Sequence, residues 1–112
     1  MSVNAKIEAA LKSLNVPVSS LTSNNHAASY IVYTEYNQAP WLSADDEEWQ
    51  TKHFYQVDVF SSGNYIQLVE DVKELMKQAG FKRMFESETY DDEAKKNRKI
   101  IRFHYISRQG EE

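Results

Sequence analysis

Residues 53–81 read HFYQVDVFSSGNYIQLVEDVKELMKQAGF and predict a strand, a turn and a helix in one uninterrupted run. In the first part, Tyr55, Val57 and Val59 alternate with polar residues, and this period of two is typical of a strand with one apolar face. After the turn, apolar residues recur at helical spacing through residues 65–79. This spacing predicts an amphipathic helix that packs on the apolar face of the strand.

Both ends of the predicted helix carry their own signals. Asn64 and Gln67 have the spacing of a capping box, in which side chains bond the first free N–H groups. Gly80 predicts the end, with Phe81 packing back on Met76 in a Schellman arrangement. The positions predicted to be core on this helix are Leu68, Val72 and Leu75.

The same patterns predict a first helix and three further strands. Val3, Ile7 and Leu11 mark one face of an N-terminal helix that Ser2 can cap. The further strands are predicted at residues 30–36, 81–90 and 99–107. Residues 19–27 are rich in Ser, Thr and Asn and predict a loop.

Together these elements predict a single α+β domain over residues 1–112. The order is helix, strand, strand, helix, strand, strand, which suggests a mostly antiparallel four-stranded sheet with two helices on one face. Two helices can cover only one face of such a sheet. We therefore expect the second face to meet solvent or a neighbouring protein.

Net charge and residue types narrow the range of functions. The chain carries a formal net charge of −4, and its acidic groups cluster at residues 45–48 and 86–93, so no continuous basic stripe remains for a nucleic acid. Residues 1–15 mix charged and apolar side chains, and no window spans a bilayer, so no membrane role is expected. The absence of cysteine excludes disulfides and thiolate metal sites and fits a reducing compartment.

Residue combinations that carry enzyme chemistry do not stand out. The four consecutive carboxylates at 45–48 cannot all point at one metal centre, even with His53 nearby. Asp58 could face Arg102 or His104 across strands, which predicts a stabilising ion pair rather than an acid/base couple. We therefore expect no enzymatic activity, catalytic residue, metal or cofactor, and we expect His53 to be a surface or hydrogen-bonded structural histidine.

Residues 37–50 are predicted to leave the sheet, because Pro40 cannot donate a hydrogen bond in a central strand. A connection of this length is typical of a functional loop. The candidate partner-binding residues in it are Trp41, Asp45, Asp46, Glu47 and Glu48. The competing interpretation makes Trp41 and Trp49 core anchors that pin the loop.

Several segments of the chain resemble one known family. They are YQVDVFSSGNY from Tyr55, KQAGF from Lys77, IRFHY from Ile101, YIVY from Tyr30, and the shorter VPV from Val16 and ADDEE from Ala44. In these segments, which span about Leu14 to Tyr105, the chain resembles small tail-completion proteins of long-tailed phages and prophages. It departs from them where family members carry a Tyr-His pair, because this chain has Asn97 and Arg98.

The resemblance implies a structural protein without a reaction. It implies a tail-terminator subunit that forms a homo-oligomeric ring, a hexamer, on the tail tube and offers the head-joining surface. The implied partners are the tail-tube protein and a head-completion or neck protein. The implied location is the head-tail interface of the virion, reached through the host cytoplasm during assembly. A head-completion or neck protein, and a small intracellular ligand-binding or enzymatic domain, remain as alternatives.

Overall fold

The computed structural model describes residues 2–21, 27–41 and 50–108, and these residues form two α-helices, one short 3-10 helix and five strands. In chain order the elements are α1 (Val3–Leu11), the 3-10 helix (Lys12–Leu14), β1 (Val18–Ser20), β2 (Ser29–Trp41), β3 (Gln50–Ser61), α2 (Ile66–Gln78), β4 (Lys82–Asp91) and β5 (Lys96–Arg108).

The five strands form one mixed sheet in the order β1-β2-β3-β5-β4. β1 runs parallel to β2, and the other three pairings are antiparallel. The predicted four-stranded sheet, with the order helix, strand, strand, helix, strand, strand, is therefore wrong. The additional strand β1 contains only three residues, two of them serine, and so it is too short and too polar to show the alternation that reveals a strand.

β2 also differs from the prediction, because it continues through residues 37–41, which were expected to leave the sheet. Pro40 pairs with Thr51 of β3, and Trp41 pairs with Gln50. β1 pairs with β2 at residues 31–33, so in the described part of the chain Pro40 has a strand on one side only. A proline is tolerated in such an edge segment, where one row of ladder hydrogen bonds is not needed.

The predicted start of α1 is confirmed, whereas the start of α2 differs in its partners. The N–H of Ala5 donates to the Ser2 hydroxyl over 3.1 Å, as a capping serine requires. At α2 the N–H of Ile66 donates to the Asn64 side chain over 3.0 Å. The capping box is wrong, because Gln67 donates to Asp71 in the next turn instead.

The end of α2 has the predicted Schellman geometry. The N–H of Phe81 donates to the Met76 carbonyl, and the N–H of Gly80 donates to the Lys77 carbonyl, each over 3.0 Å. Gly80 has a φ of 97°, a conformation that L side chains rarely adopt. The turn delivers Phe81 into the core and aligns β4 with the sheet.

The main core lies between the two α-helices and one face of the sheet. Its buried members are Val3, Ile7, Leu11, Ile31, Tyr33, Tyr55, Val57, Val59, Val69, Val72, Met76, Phe81, Ile101 and Phe103. Of the three core positions predicted on α2, Val72 is fully buried, while Leu68 and Leu75 are half-buried at the margin. Val69 and Met76 complete the buried stripe of this helix.

Two β-bulges interrupt the sheet beside the same row of residues. In β2 the register shifts between Glu35 and Asn37, and in β4 it shifts between Arg83 and Phe85. Tyr55 of β3 pairs with Glu35 and with Phe103 of β5, and Phe103 pairs with Arg83. The bulges therefore flank one row across the sheet, where extra twist is expected.

Candidate interaction surface

The sheet face that points away from both α-helices is here called the open face, and no described helix covers it. Many side chains on this face are aromatic or charged: Tyr30, Tyr36, Trp41, Lys52, Phe54, Asp58, Phe60, Lys82, Phe85, Asp91, Lys96, Arg98, Arg102 and His104. The residues between them along each strand, such as Val57 and Ile101, are buried beneath the helices. The alternation predicted for β3 and β5 therefore separates a core face from this open face.

Trp41 lies at one end of the open face, as the last residue of β2. It is exposed over 42% of its surface, so it does not act as a core anchor. The Lys52 ammonium lies over the Trp41 ring, 4.7 Å from its centroid, and 5.4 Å from the Phe54 centroid. The ring faces attract the cation and hold it in place.

Arg102 occupies the middle of the open face between two aromatic rings. Its guanidinium carbon lies 5.1 Å from the Tyr36 centroid and 5.4 Å from the Phe85 centroid. Both rings belong to the bulged stretches of β2 and β4, and both are more than 40% exposed. The Arg102 Nε also donates to the Gln56 side chain over 3.1 Å. The bulges thus bring an arginine and two exposed rings together.

Asp58 is the buried acid of the open face, exposed over only 5% of its surface. Its carboxylate accepts from Arg98 Nε over 3.2 Å and from the Gln56 amide over 3.2 Å. The predicted partner, Arg102 or His104, is wrong. Ile100 lies directly opposite Asp58, so Arg98 and Arg102 are its two diagonal neighbours on β5, and Arg102 bonds Gln56 instead.

The other end of the open face repeats the pattern of cations over rings. Lys96 lies 5.7 Å from the Tyr30 centroid, and Arg98 lies 5.4 Å from the Phe60 centroid. Tyr30 and Phe60 stack on each other with centroids 4.8 Å apart. Cations alternating with rings therefore follow the open face from Trp41 to Tyr30.

His104 lies on the open face near Lys52 and is half-buried. In the described part of the chain its Nδ1 atom is buried without a hydrogen-bond partner. Desolvation lowers the pKa of His104 below its ordinary value of 6.5, and the positive charges of Lys52 and Lys82 lower it further. At neutral pH His104 is therefore uncharged.

We expect an NMR titration to give His104 a pKa below 6.5, and we expect Lys52→Gln to raise that pKa part of the way back. Desolvation remains in the variant, so full recovery is not expected. The unfolded chain binds this proton at a higher pH than the folded chain, so the free energy of unfolding should fall as the pH drops below about 6.5. Lys12→Gln, on the helix side, is the control. A parent His104 pKa at or above 6.5 would contradict this assignment.

The remaining predicted interface residues, Asp45, Asp46, Glu47 and Glu48, lie outside the described residues, as do Trp49 and His26. Their interface role stays a prediction. Of the predicted set, the structure places only Trp41, beside Lys52 and Phe54. The cations and rings around it were not predicted, although Arg102 and His104 already stand on the mixed face of the last strand in the sequence.

Hydrogen bonds link the side chains of Glu35, His53 and Ser107 on the core side of the sheet, and His53 and Ser107 are buried. His53 Nδ1 lies 2.6 Å from the Glu35 carboxylate, and His53 Nε2 lies 2.9 Å from the Ser107 hydroxyl. The order acid, histidine, serine matches that of a hydrolytic triad. Ser107 is fully buried, so its hydroxyl is not presented to a substrate. These hydrogen bonds instead join β2, β3 and β5, and His53 is a hydrogen-bonded structural histidine.

One groove lies between α2 and the beginning of β4, with a volume of about 600 Å³. Its lining is mostly charged and includes Lys73, Lys77, Glu70 and Glu74. Lys73 bonds both Glu70 and Glu86, so its charge is already satisfied. No cluster of potential metal ligands occurs among the residues that the structure describes. Neither described α-helix has the length and apolar character needed to cross a membrane.

The chain shares its fold with a component of a virus-like particle. The match is to a chain in a structure titled "Virion of native gene transfer agent (GTA) particle", with a TM-score of 0.65. It covers 96% of this chain and 95% of the other, at 10% sequence identity. No family model and no curated protein matches this chain. At this identity the likeness establishes the fold alone.

Proposed function

We propose that this protein is a structural subunit of a phage-like particle. The observation that carries the proposal is the fold shared with a virion component over nearly the full length of both chains. The sequence resemblance to tail-completion proteins, carried by segments such as the one from Tyr55, supports the same class. Within that class we propose a ring of copies that completes the tail tube and joins it to the head.

The open face supports a role in assembly. Interfaces between proteins are enriched in aromatic residues and arginine, and exposed apolar patches often mark such contacts. Tyr36, Trp41 and Phe85 are each more than 40% exposed, and Arg102 lies between two of these rings. We propose that the open face contacts a neighbouring protein of the particle.

The proposal includes no reaction. Ser107, which completes the only acid, histidine, serine chain found in the described ranges 2–21, 27–41 and 50–108, is enclosed in the core. The groove beside α2 is lined mostly by charged side chains, of which Lys73 bonds Glu70 and Glu86. A ligand site is expected to converge a few polar groups on an apolar cavity, and this groove does not have that character. The proposed location is the head-tail junction of the particle.

Deletion of the gene in cells that produce the particle tests the proposal. A tail-terminator role predicts tails of irregular length and heads that remain unjoined, both visible by electron microscopy. A neck role predicts tails of normal length that fail to join heads. The wild-type gene supplied in trans should restore complete particles. Normal particles from the deletion strain would contradict a structural role at the junction.

A further inference from the structure

β4 forms one edge of the sheet, and in the described part of the chain no strand pairs with its outer side. Its sequence, KRMFESETYD, contains neither proline nor glycine, and none of its ten residues is buried. An edge of this kind presents a row of unpaired N–H and C=O groups that an added strand can satisfy. The partner that fits β4 is therefore an extended polypeptide segment.

The opposite edge of the sheet is better protected against an added strand. β1 covers β2 at residues 31–33, and Pro40, farther along β2, has no N–H to donate. In β4 both basic residues precede the bulge between Arg83 and Phe85. Lysine often protects a sheet edge, so residues 85–91 form a continuous edge without that protection.

Exposed apolar side chains lie on both faces of this edge. Seven large apolar side chains are exposed among the described residues, and Met84, Phe85 and Tyr90 of β4 are three of them. Phe85 lies opposite Arg102 on the open face, whereas Tyr90 lies opposite Asn97 on the helix side. An added strand places its own side chains beside both, so strand addition removes this apolar surface from water.

Two of the three carboxylates in residues 85–91 are held by cations of the same chain. Glu86 is bonded over 2.8–3.3 Å by three of them: Lys73, Arg83 and Lys99. Asp91 lies opposite Lys96 and 3.7 Å from Arg98. The turn at residues 92–95 adds two carboxylates and one lysine beyond the end of the strand.

Glu88, in the middle of the edge, is the most exposed of the three carboxylates. Its side chain is 64% exposed, against 25% for Glu86 and 23% for Asp91. The Lys99 ammonium is 3.8 Å from Glu88 but only 3.2 Å from Glu86, and the Tyr65 hydroxyl also bonds Glu88. A basic residue opposite Glu88 on an added strand would form a favourable cross-strand pair.

We propose that the outer edge of β4, at residues 85–91, binds an extended strand of another protein of the particle. That strand carries apolar side chains beside Phe85 and Tyr90 and a basic residue opposite Glu88. A second copy of β4 is disfavoured, because the antiparallel register that uses all of residues 85–91 places Glu88 opposite Glu88. The inference rests on the proposed structural role and goes beyond the proposed contact of the open face, since the partner recognises the backbone of β4.

Hydrogen exchange tests the contact directly. Mass spectrometry compares the β4 amides of the free protein with those of the same chain in particles purified from the producing cells. Edge amides without a partner exchange rapidly, so we expect exchange over residues 85–91 to slow by at least about tenfold in the particle. The amides of α1, which are bonded within their helix, are the internal control and should keep their rates.

Substitutions on the edge test the same contact by affinity. Heads and tails purified from the deletion strain are the probes, and pelleting measures how much chain they bind. Phe85→Lys with Thr89→Lys places two lysines on the edge and should weaken binding at least about tenfold. Ala9→Lys with Ser13→Lys, at exposed positions of α1 and the 3-10 helix, is the control of equal charge change and should bind like the parent. Thermal melts confirm that each variant is folded.

Glu88→Lys tests the charge of the partner strand. We expect it to bind about fivefold more weakly than Glu88→Gln, and we expect the difference to shrink as NaCl is raised. Tighter binding of Glu88→Lys would mean that the partner is acidic at this position and would overturn the proposed chemistry.

Other results would overturn the contact itself. Unchanged exchange over residues 85–91 in the particle, or parent-like binding of the two-lysine edge variant, would remove β4 from the contact. Slow exchange over the same residues in the protein alone, together with dimers in sedimentation velocity, would assign the edge to a second copy.

The particle assays separate this inference from the proposed function. If the chain is absent from purified particles and its deletion leaves them normal, the structural role is wrong and the inference falls with it. If the parent gene restores particles in the deletion strain but the β4 amides in those particles stay unprotected, the structural role stands and the contact at β4 is wrong.

Discussion

Replacing Phe103 with alanine is expected to lower the free energy of unfolding by about 3–5 kcal/mol. Phe103 is 1% exposed, and it lies in β5, between β3 and β4. Its ring meets the Phe81 ring edge-on at 6.5 Å, so the substitution removes contacts with the end of α2 as well as with the sheet. The surrounding helices and strands can close the resulting cavity only in part. Urea denaturation of parent and variant measures the difference.

Phe85→Ala is the matched control for this prediction. Phe85 lies one strand away in β4, and it is 48% exposed on the open face. Its ring contacts the Arg102 guanidinium. Truncation to alanine should therefore lower the free energy of unfolding by less than about 1 kcal/mol. Equal losses for the two phenylalanines would mean that the core and open faces of the sheet are wrongly assigned.

The second large effect is expected for Arg98→Met, which should lower the free energy of unfolding by about 1.5–3 kcal/mol. The substitution keeps most of the packing on Phe60 but leaves the Asp58 carboxylate, only 5% exposed, without its cationic donor. A buried carboxylate that loses its partner retains the full cost of its desolvation. Arg98 is itself partly exposed, so water softens the loss and the upper end of the range is a ceiling.

The double variant Asp58→Asn/Arg98→Met distinguishes the cost of an unpartnered Asp58 carboxylate from the cost of lost Arg98 packing. It removes both charges and leaves a neutral side chain that Gln56 can still reach, so most of the stability should return. Urea midpoints of the parent, both single variants and the double variant form a complete cycle. A double variant less stable than Arg98→Met would show that burial of the charge is not the cause.

The sequence predicted the structure correctly where that structure depends on residues close together in the chain. Ser2 caps α1, Gly80 ends α2, and the alternation around Val57 predicts which side of β3 is buried, because each signal acts within a few residues. The core stripe of α2 was predicted with a small rotation, since Leu75 lies at its margin and Met76 at its centre. A periodicity of 3.6 leaves such a rotation undecided when apolar residues flank the stripe on both sides.

The sequence was insufficient where structure depends on pairing between distant strands. β1 exists because three residues find β2 beside them, and nothing in their own order requires a strand. The open face depends on register in the same way. Arg102 of β5 lies between Tyr36 of β2 and Phe85 of β4, in a contact that spans four neighbouring strands. Asp58 bonds Arg98 and not Arg102 through a diagonal contact that composition cannot reveal. The sequence does show aromatic and basic residues on the mixed strand faces, but it does not show which of them meet.

The bulge in β2 determines on which face of the sheet each later residue of the strand lies. Glu35 pairs with Tyr55 on the core side, and the extra residue Tyr36 brings Asn37 opposite Phe54 on the open side. An uninterrupted strand would keep odd-numbered residues on the core side as far as Trp41. Trp41 shares a face with Lys52 only because one residue has been inserted before it. Closing the bulge with every residue retained would exchange the two faces of this segment, whereas deletion of Tyr36 would close the bulge and leave Trp41 on the open face opposite Gln50.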